Sequence, residues 1–110
     1  MPGAKMIGKF PKPPSIMMNT DIEIVREIDG EDGVTEELIY KGKCYYEEGI
    51  RRVVNENKQV IELSGLAIIY DNIAFDKAFI RIDGKVRTIY RTSRPRNPDG
   101  SIYSTEMELM

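Results

Sequence analysis

The sequence predicts an all-β fold: a small β-barrel or sandwich of about six to eight short antiparallel strands behind an extended N-terminal arm. Three observations predict it. From Asp21 onward apolar residues recur with the period of two at which strand side chains alternate between faces. Clusters of Gly, Asn and Asp punctuate the chain about every ten residues, the spacing of short strands joined by turns. No segment offers an amphipathic helix long enough to be independently convincing. At 110 residues there is room for one core. No internal repeat and no long low-complexity tract is present.

Residues 1–19, MPGAKMIGKFPKPPSIMMN, are a different kind of sequence from the rest. Pro2, Pro11, Pro13 and Pro14 lack amide donors and fix their own φ, which excludes helix and central strand. An extended, polyproline-like arm is expected. A freely solvated tail gains nothing from Met6, Ile7, Phe10, Ile16, Met17 and Met18, so these are read as a partner-docking arm; a disordered terminus is the competing reading. The division is thus an arm at 1–19 and a β-barrel domain at 20–110.

Strand periodicity starts with DIEIVREI, where Ile22, Ile24 and Ile28 share a face interrupted by Arg26. DGEDG is a turn cluster. In VTEELIYKGKCYYEE, Leu38, Tyr40, Cys44 and Tyr46 are placed on one side, and Gly42 suggests a bulge or sharp bend. RRVV and QVIEL form a hairpin with NENK at its tip. Gly65 is expected to kink the second arm before LAIIY, a run apolar enough for burial on both faces. DNIAFDKA has the length of a loop and the spacing of a single helical turn. AFIRI and VRTIYRT flank Asp83-Gly84, the dipeptide that a tight primed turn prefers. After the loop RPRNPDG, the closing SIYSTEMELM alternates, with Tyr103, Thr105, Met107 and Leu109 on one face and Ser104, Glu106 and Glu108 on the other. A strand that runs to the last residue needs its edge covered, by its own barrel or by a neighbour.

The net charge of −2 advertises neither nucleic acid nor membrane. The charges are nevertheless sorted. Lys5, Lys9 and Lys12 stand without an acid in the arm, residues 21–49 are strongly acidic, and the remainder is mildly basic. That asymmetry suits head-to-tail contacts between copies, and an ordinary solvated surface accounts for it equally well. The single Cys44 permits no internal disulfide and fits a reducing compartment. MPGAKMIGKF lacks the apolar run of a signal peptide and no stretch has the length of a membrane span, so assembly in the cytoplasm is expected.

The catalytic inventory is thin. Without histidine, every His-based dyad or triad and the usual zinc sites are excluded. Glu36-Glu37 and Glu47-Glu48 are adjacent on strands and point to opposite faces. DGEDG lacks the spacing of a calcium loop. Glycines do not lie between a strand and a long helix, as a phosphate loop requires. No cofactor, metal or catalytic residue is expected. A monomeric barrel that binds single-stranded nucleic acid is the alternative. Tyr40, Tyr45, Tyr46, Tyr90 and Tyr103 would be its aromatic platforms, and Arg81, Arg87, Arg91, Arg94 and Arg96 its basic groove. Against it, the arginines of the 81–91 hairpin have acids to pair with and the core needs the tyrosines. All six methionines lie outside residues 19–106. Methionine adapts to irregular neighbours, so Met107 and Met110, with Leu109, are read as a terminal-strand contact to another chain.

Residues 21–110 resemble the small head-tail connector or head-closure proteins of tailed bacteriophages, also called stopper or minor capsid proteins. The likeness is carried by a bulged strand pair ending in GKCYYEEGIRRVV, the hairpin NENKQVIELSGLAII, the DGK hairpin and the closing RPRNPDGSIYSTEMEL. The proline-rich arm is not part of that pattern. The resemblance implies a β-barrel in a homo-oligomeric ring that closes the portal channel and joins the tail. It also implies virion localisation after assembly in the host cytoplasm. The implied partners are itself, a portal or adaptor protein, a tail protein and packaged DNA in the channel, with no membrane. Candidate channel loops are the acidic turn with Asp29, Glu31 and Asp32 and the loop with Asp76. Arg94 and Arg96 are candidates for an intersubunit or DNA contact.

Overall fold

The structure, a computed structural model, describes residues 8–110. Six strands close into an antiparallel barrel in the order β1-β2-β3-β6-β5-β4. They are β1 (Thr20–Gly30), β2 (Gly33–Val54), β3 (Val60–Ile69), β4 (Ala78–Ile82), β5 (Lys85–Ser93) and β6 (Thr105–Leu109). Residues 8–19 add one 3-10 turn, Ser15–Met17. The all-β barrel expected from the periodicity is therefore the fold.

Alternation fills the interior. Ile22 and Ile24 of β1 stand opposite Ile82 and Ile80 of β4. Cys44, Ala67, Ile69, Met107 and Leu109 complete a core in which each of these side chains is at most 3% exposed. At about 1.5–3 kcal/mol for each fully buried large aliphatic, this cluster is the principal stabilising term. The five surface ion pairs, most with both partners well exposed, add about 0–1 kcal/mol each. The terminal strand needs no neighbour to cover its edge. β6 pairs with β3 on one side and β5 on the other.

Two of the expected turns form as read. Asp83 (φ 50°) and Gly84 (φ 72°) both adopt positive φ, the requirement of a type I′ turn. At the β2–β3 tip, Asn55 Oδ1 accepts the amides of Asn57 and Gln59, both at 2.9 Å. DNIAFDKA is a loop without a helical turn.

β2 departs from the expected pattern of short strands. It runs 22 residues without a break, pairing with β1 up to Cys44 and with β3 from Tyr45. Two irregularities let it curve. In the first, Ile24 faces Tyr40 and Val25 faces Leu38, so Ile39 is an extra residue on β2. The extra residue flips the phase, and Leu38 points outward, 52% exposed, where the inner face was expected. The second lies between Glu48 and Arg51. At Gly42, where a bulge was expected, pairing with Ile22 is regular. The glycine serves close packing instead: a Cβ there would stand 2.7 Å from the Tyr40 hydroxyl. At Gly65 a Cβ would meet the Glu47 carbonyl oxygen at 2.9 Å and the Tyr46 ring at 3.0 Å. LAIIY is fully buried on one face only: Ala67 and Ile69 are buried, while Leu66 and Ile68 are intermediate. Ser104, expected on the outer face, is 1% exposed.

These contacts set an order of damage. Gly65→Ala places a methyl against backbone and should cost about 1–3 kcal/mol. Gly42→Ala meets only the movable end of Tyr40 and should cost about 1 kcal/mol or less. Urea unfolding of both variants checks the order.

Candidate functional site

By strand direction, the β1–β2 hairpin and the β3–β4 and β5–β6 connections share one rim of the barrel. The β2–β3 and β4–β5 hairpins share the other. The first rim is where most of the expected site residues fall.

It is built on Thr105, a fully buried polar residue on the inner face of β6. Its Oγ1 donates to the Asp71 carbonyl at 2.8 Å and accepts the Ile73 amide at 3.1 Å, which holds the start of the β3–β4 loop. Arg94 holds the same loop from the other side. Its Nη2 donates to the Ile73 carbonyl at 2.8 Å and its guanidinium lies 5.3 Å from the Phe75 ring. Ile73 and Phe75 in turn pack against the core.

Asn97, 5% exposed, organises the β5–β6 loop. Its amide donates to the Ser101 carbonyl at 2.7 Å and its Nδ2 to Ser101 Oγ at 3.0 Å. Its Oδ1 accepts the Phe10 amide at 2.9 Å. The arm continues this dock. The Asp99 amide donates to the Gly8 carbonyl at 3.0 Å, and Tyr103 donates its hydroxyl to the Pro11 carbonyl at 2.9 Å. Lys12 Nζ donates to the Tyr103 carbonyl at 2.6 Å and sits 4.5 Å from its ring centre. Phe10, Tyr103 and Tyr70 stack edge to face, with centroids 5.9 and 5.5 Å apart. Hydrogen bonds from the Ser101 hydroxyl and amide hold the Asp99 carboxyl below its ordinary range.

The expected site residues sort as follows. Phe10 docks on its own chain and stays 52% exposed; Ile16 (85%) and Met17 (42%) are left uncovered, and Met18 is half-buried. Met6 and Ile7 lie outside the described residues. The terminal-strand contact is corrected: Met107 and Leu109 face the barrel interior and are 0% exposed, so only Met110 remains accessible. Burial of the β6 inner face inside its own barrel is the physical reason. Asp29, Glu31, Asp32 and Asp76 are exposed on connections of the same rim. Arg94 is turned onto the β3–β4 loop, and Arg96 donates to the Gly100 carbonyl at 2.7 Å within its own turn.

The tyrosines form no single platform. Tyr40 and Tyr46 pack on the core, Tyr45 donates to Glu47 at 3.2 Å, and Tyr103 is taken up by the arm. Arg81 pairs with Glu36 and lies over the Phe79 ring. Among the described residues no group of three or more His, Cys, Asp or Glu side chains is placed to hold a metal, and no helix is long and apolar enough to cross a membrane. An open cleft of about 490 Å³ follows the second β2 irregularity, between Glu47, Ile50, Arg51 and Glu108. Another of about 990 Å³ lies by Asp21, Lys41, Arg81 and Val86.

Comparison with protein-family profiles, with curated proteins and with solved structures finds no match.

Sequence reasoning missed Asn97, Lys12 and the clamping role of Thr105. Thr105 carried a signal, as the one small hydroxyl residue on an alternating face shared with Tyr103, Met107 and Leu109. Asn97 precedes Pro-Asp-Gly, a place where asparagine commonly bonds nearby backbone.

Asn97→Ala leaves the Phe10 amide without its acceptor and the Ser101 hydroxyl oxygen without its donor, and should cost about 1–3 kcal/mol. Thermal unfolding checks the cost, and faster proteolysis within residues 8–19 reports release of the arm. Burial, helped by Asp83 and Asp21, pushes the Cys44 thiol up to about 12. Native protein should therefore be inert to a thiol reagent at pH 8 and react on unfolding. The sign for stability follows: with its native pKa raised, Cys44 contributes fully below the ordinary thiol range of about 8.5 and progressively less as pH climbs towards about 12.

Proposed function

We propose that this chain is a virion structural protein at the head-tail interface of a tailed bacteriophage, where copies of it form a ring that closes the portal channel and joins the tail. The observation that carries the reading is the acidic β1–β2 hairpin, which projects from a rim made rigid by Thr105, Arg94 and Asn97. Such a rim suits a part that works by shape. Carboxylates at Asp29, Glu31 and Asp32 would repel DNA phosphate and let it slide past. Ile16 and Met17 on the arm, Ile50, Val54 and Val60 on the β2–β3 hairpin, and Met110 are exposed apolar groups. They suit contacts with a portal or adaptor on one side and a tail protein on the other. The likeness in sequence to connector proteins supplies the class.

The nucleic-acid-binding monomer is the weaker reading, because Tyr40, Tyr46 and Tyr103 are engaged within the chain and Arg81 is paired.

Solution mass, measured alone and after addition of a portal ring, tests the proposal. Ring formation or capture by the portal supports it. A monomer that binds oligonucleotides in a salt-sensitive way overturns it in favour of the alternative. Deleting residues 1–18 should leave the barrel folded, with an unchanged β-sheet circular dichroism spectrum, and abolish capture of the arm's partner. Normal assembly of the truncated chain would refute the arm's docking role.

A further inference from the structure

The place where the arm docks has the make-up of a peptide-binding site. Three groups on or beside the β5–β6 loop read the arm's backbone rather than its side chains. The Asp99 amide donates to the Gly8 carbonyl at 3.0 Å, Asn97 Oδ1 accepts the Phe10 amide at 2.9 Å, and the Tyr103 hydroxyl donates to the Pro11 carbonyl at 2.9 Å. Pro11 has no amide to leave unpaired. Two side chains complete the fit. Phe10 meets the Tyr103 ring edge to face at 5.9 Å, and Lys12 Nζ lies 4.5 Å from the same ring centre. Tyr70 supports that ring at 5.5 Å. Aromatic rings that bind an extended proline-containing segment are a recurring mode of peptide recognition.

The receiving surface is held without the arm. Asn97 is fixed by its bonds to Ser101, and the Gly100 amide donates to the Asn97 carbonyl at 2.9 Å. The Tyr103 amide donates to the Pro95 carbonyl at 2.7 Å, and Arg96 pairs with Ile102. The arm, by contrast, is thinly held. Phe10 is 52% exposed, and Lys9, Pro11 and Lys12 are exposed too. Ordering an exposed segment costs about as much as such contacts contribute. Occupancy is then an equilibrium that a competitor can shift.

We infer that Tyr70, Asn97, Asp99 and Tyr103 form a binding site for an extended aromatic-proline-lysine segment of a partner protein, occupied by the chain's own residues 8–12 until that segment displaces them. The segment seated there defines the chemistry of the occupant: an aromatic edge for Tyr103, a proline carbonyl for its hydroxyl and a cation for its ring. Displacement frees Phe10 and the rest of the arm. The site needs no ring of copies, so the inference goes beyond the proposed function and does not rest on it.

Nuclear magnetic resonance of the isotope-labelled full chain tests it, with the unlabelled peptide GKFPKPP, the sequence of residues 8–14, as the probe. A short tether makes the chain's own arm equivalent to roughly millimolar free peptide, so the titration extends beyond that concentration. The Lys9, Phe10 and Lys12 amides should move to the positions of a free arm. The Asn97, Asp99 and Tyr103 amides should hardly move, because the peptide remakes the same contacts. Phe10→Ala with Lys12→Ala in the full chain opens the site, and should tighten peptide binding about two- to tenfold. Adding Tyr103→Phe, which keeps the ring and removes the hydroxyl, should weaken it about three- to tenfold. Arm amides that stay in place at saturating peptide, or binding indifferent to Tyr103→Phe, would overturn the site. Self-association of the wild type that the peptide disperses would overturn the separate partner in favour of a second copy's arm.

Discussion

Closure of the barrel depends on one strand serving two pairings. β2 gives its first half to β1 and its second half to β3, and the sheet becomes continuous because that strand bends between them. A long flat strand would splay. Bulges raise local twist and let a strand bend, and β2 has one in each half. Gly42 and Gly65 then leave room for the Tyr40 and Tyr46 rings, and at Gly65 an added Cβ would also meet the Glu47 carbonyl oxygen. The aliphatic core is the main source of stability, but the curvature of β2 decides that its residues meet around one axis.

The same strand explains the projecting parts. At 22 residues β2 is far longer than β4 or β6, each five residues long, so its ends outrun the barrel. One becomes the acidic ribbon with β1, and the other the β2–β3 hairpin with Ile50, Val54 and Val60 exposed. The arm is held differently. Its hydrogen bonds are worth about 0.5–1.5 kcal/mol each and its aromatic contact about as much. Ordering five residues costs about 1–2 kcal/mol apiece. The two nearly cancel, so the dock of Gly8–Lys12 is close to balance, whereas the clamps of Thr105 and Arg94 tie a loop already anchored at both ends.

Much was legible in order along the chain. The strand periods, the Asp83-Gly84 turn and the shared face of Thr105, Met107 and Leu109 follow from alternation and turn chemistry, which are local. Errors arose where position depended on a partner strand. Leu38 changed face because Ile39 is an extra residue relative to β1, and no local pattern reveals a mismatch with a strand elsewhere. The sequence alone reads Met107 and Leu109 as contact residues, because methionine adapts well to other chains. The same adaptability fills a core, and only the pairing of β6 between β3 and β5 distinguishes the two.

By itself, then, the sequence determined the class of fold, the positions of its turns, the acidic and basic bias of its segments and the lack of any histidine-based chemistry. Tertiary structure alone decided the closure into a barrel, the outward turn of Leu38, the docking of Phe10 and Lys12 on Tyr103, and the placement of the β1–β2 and β4–β5 turns at opposite rims. The reason is the range of the forces involved. Side-chain alternation and turn preference act over a few residues, while strand register and the close approach of Tyr46 to Gly65 join residues far apart in the chain, and they are settled only when the sheet closes.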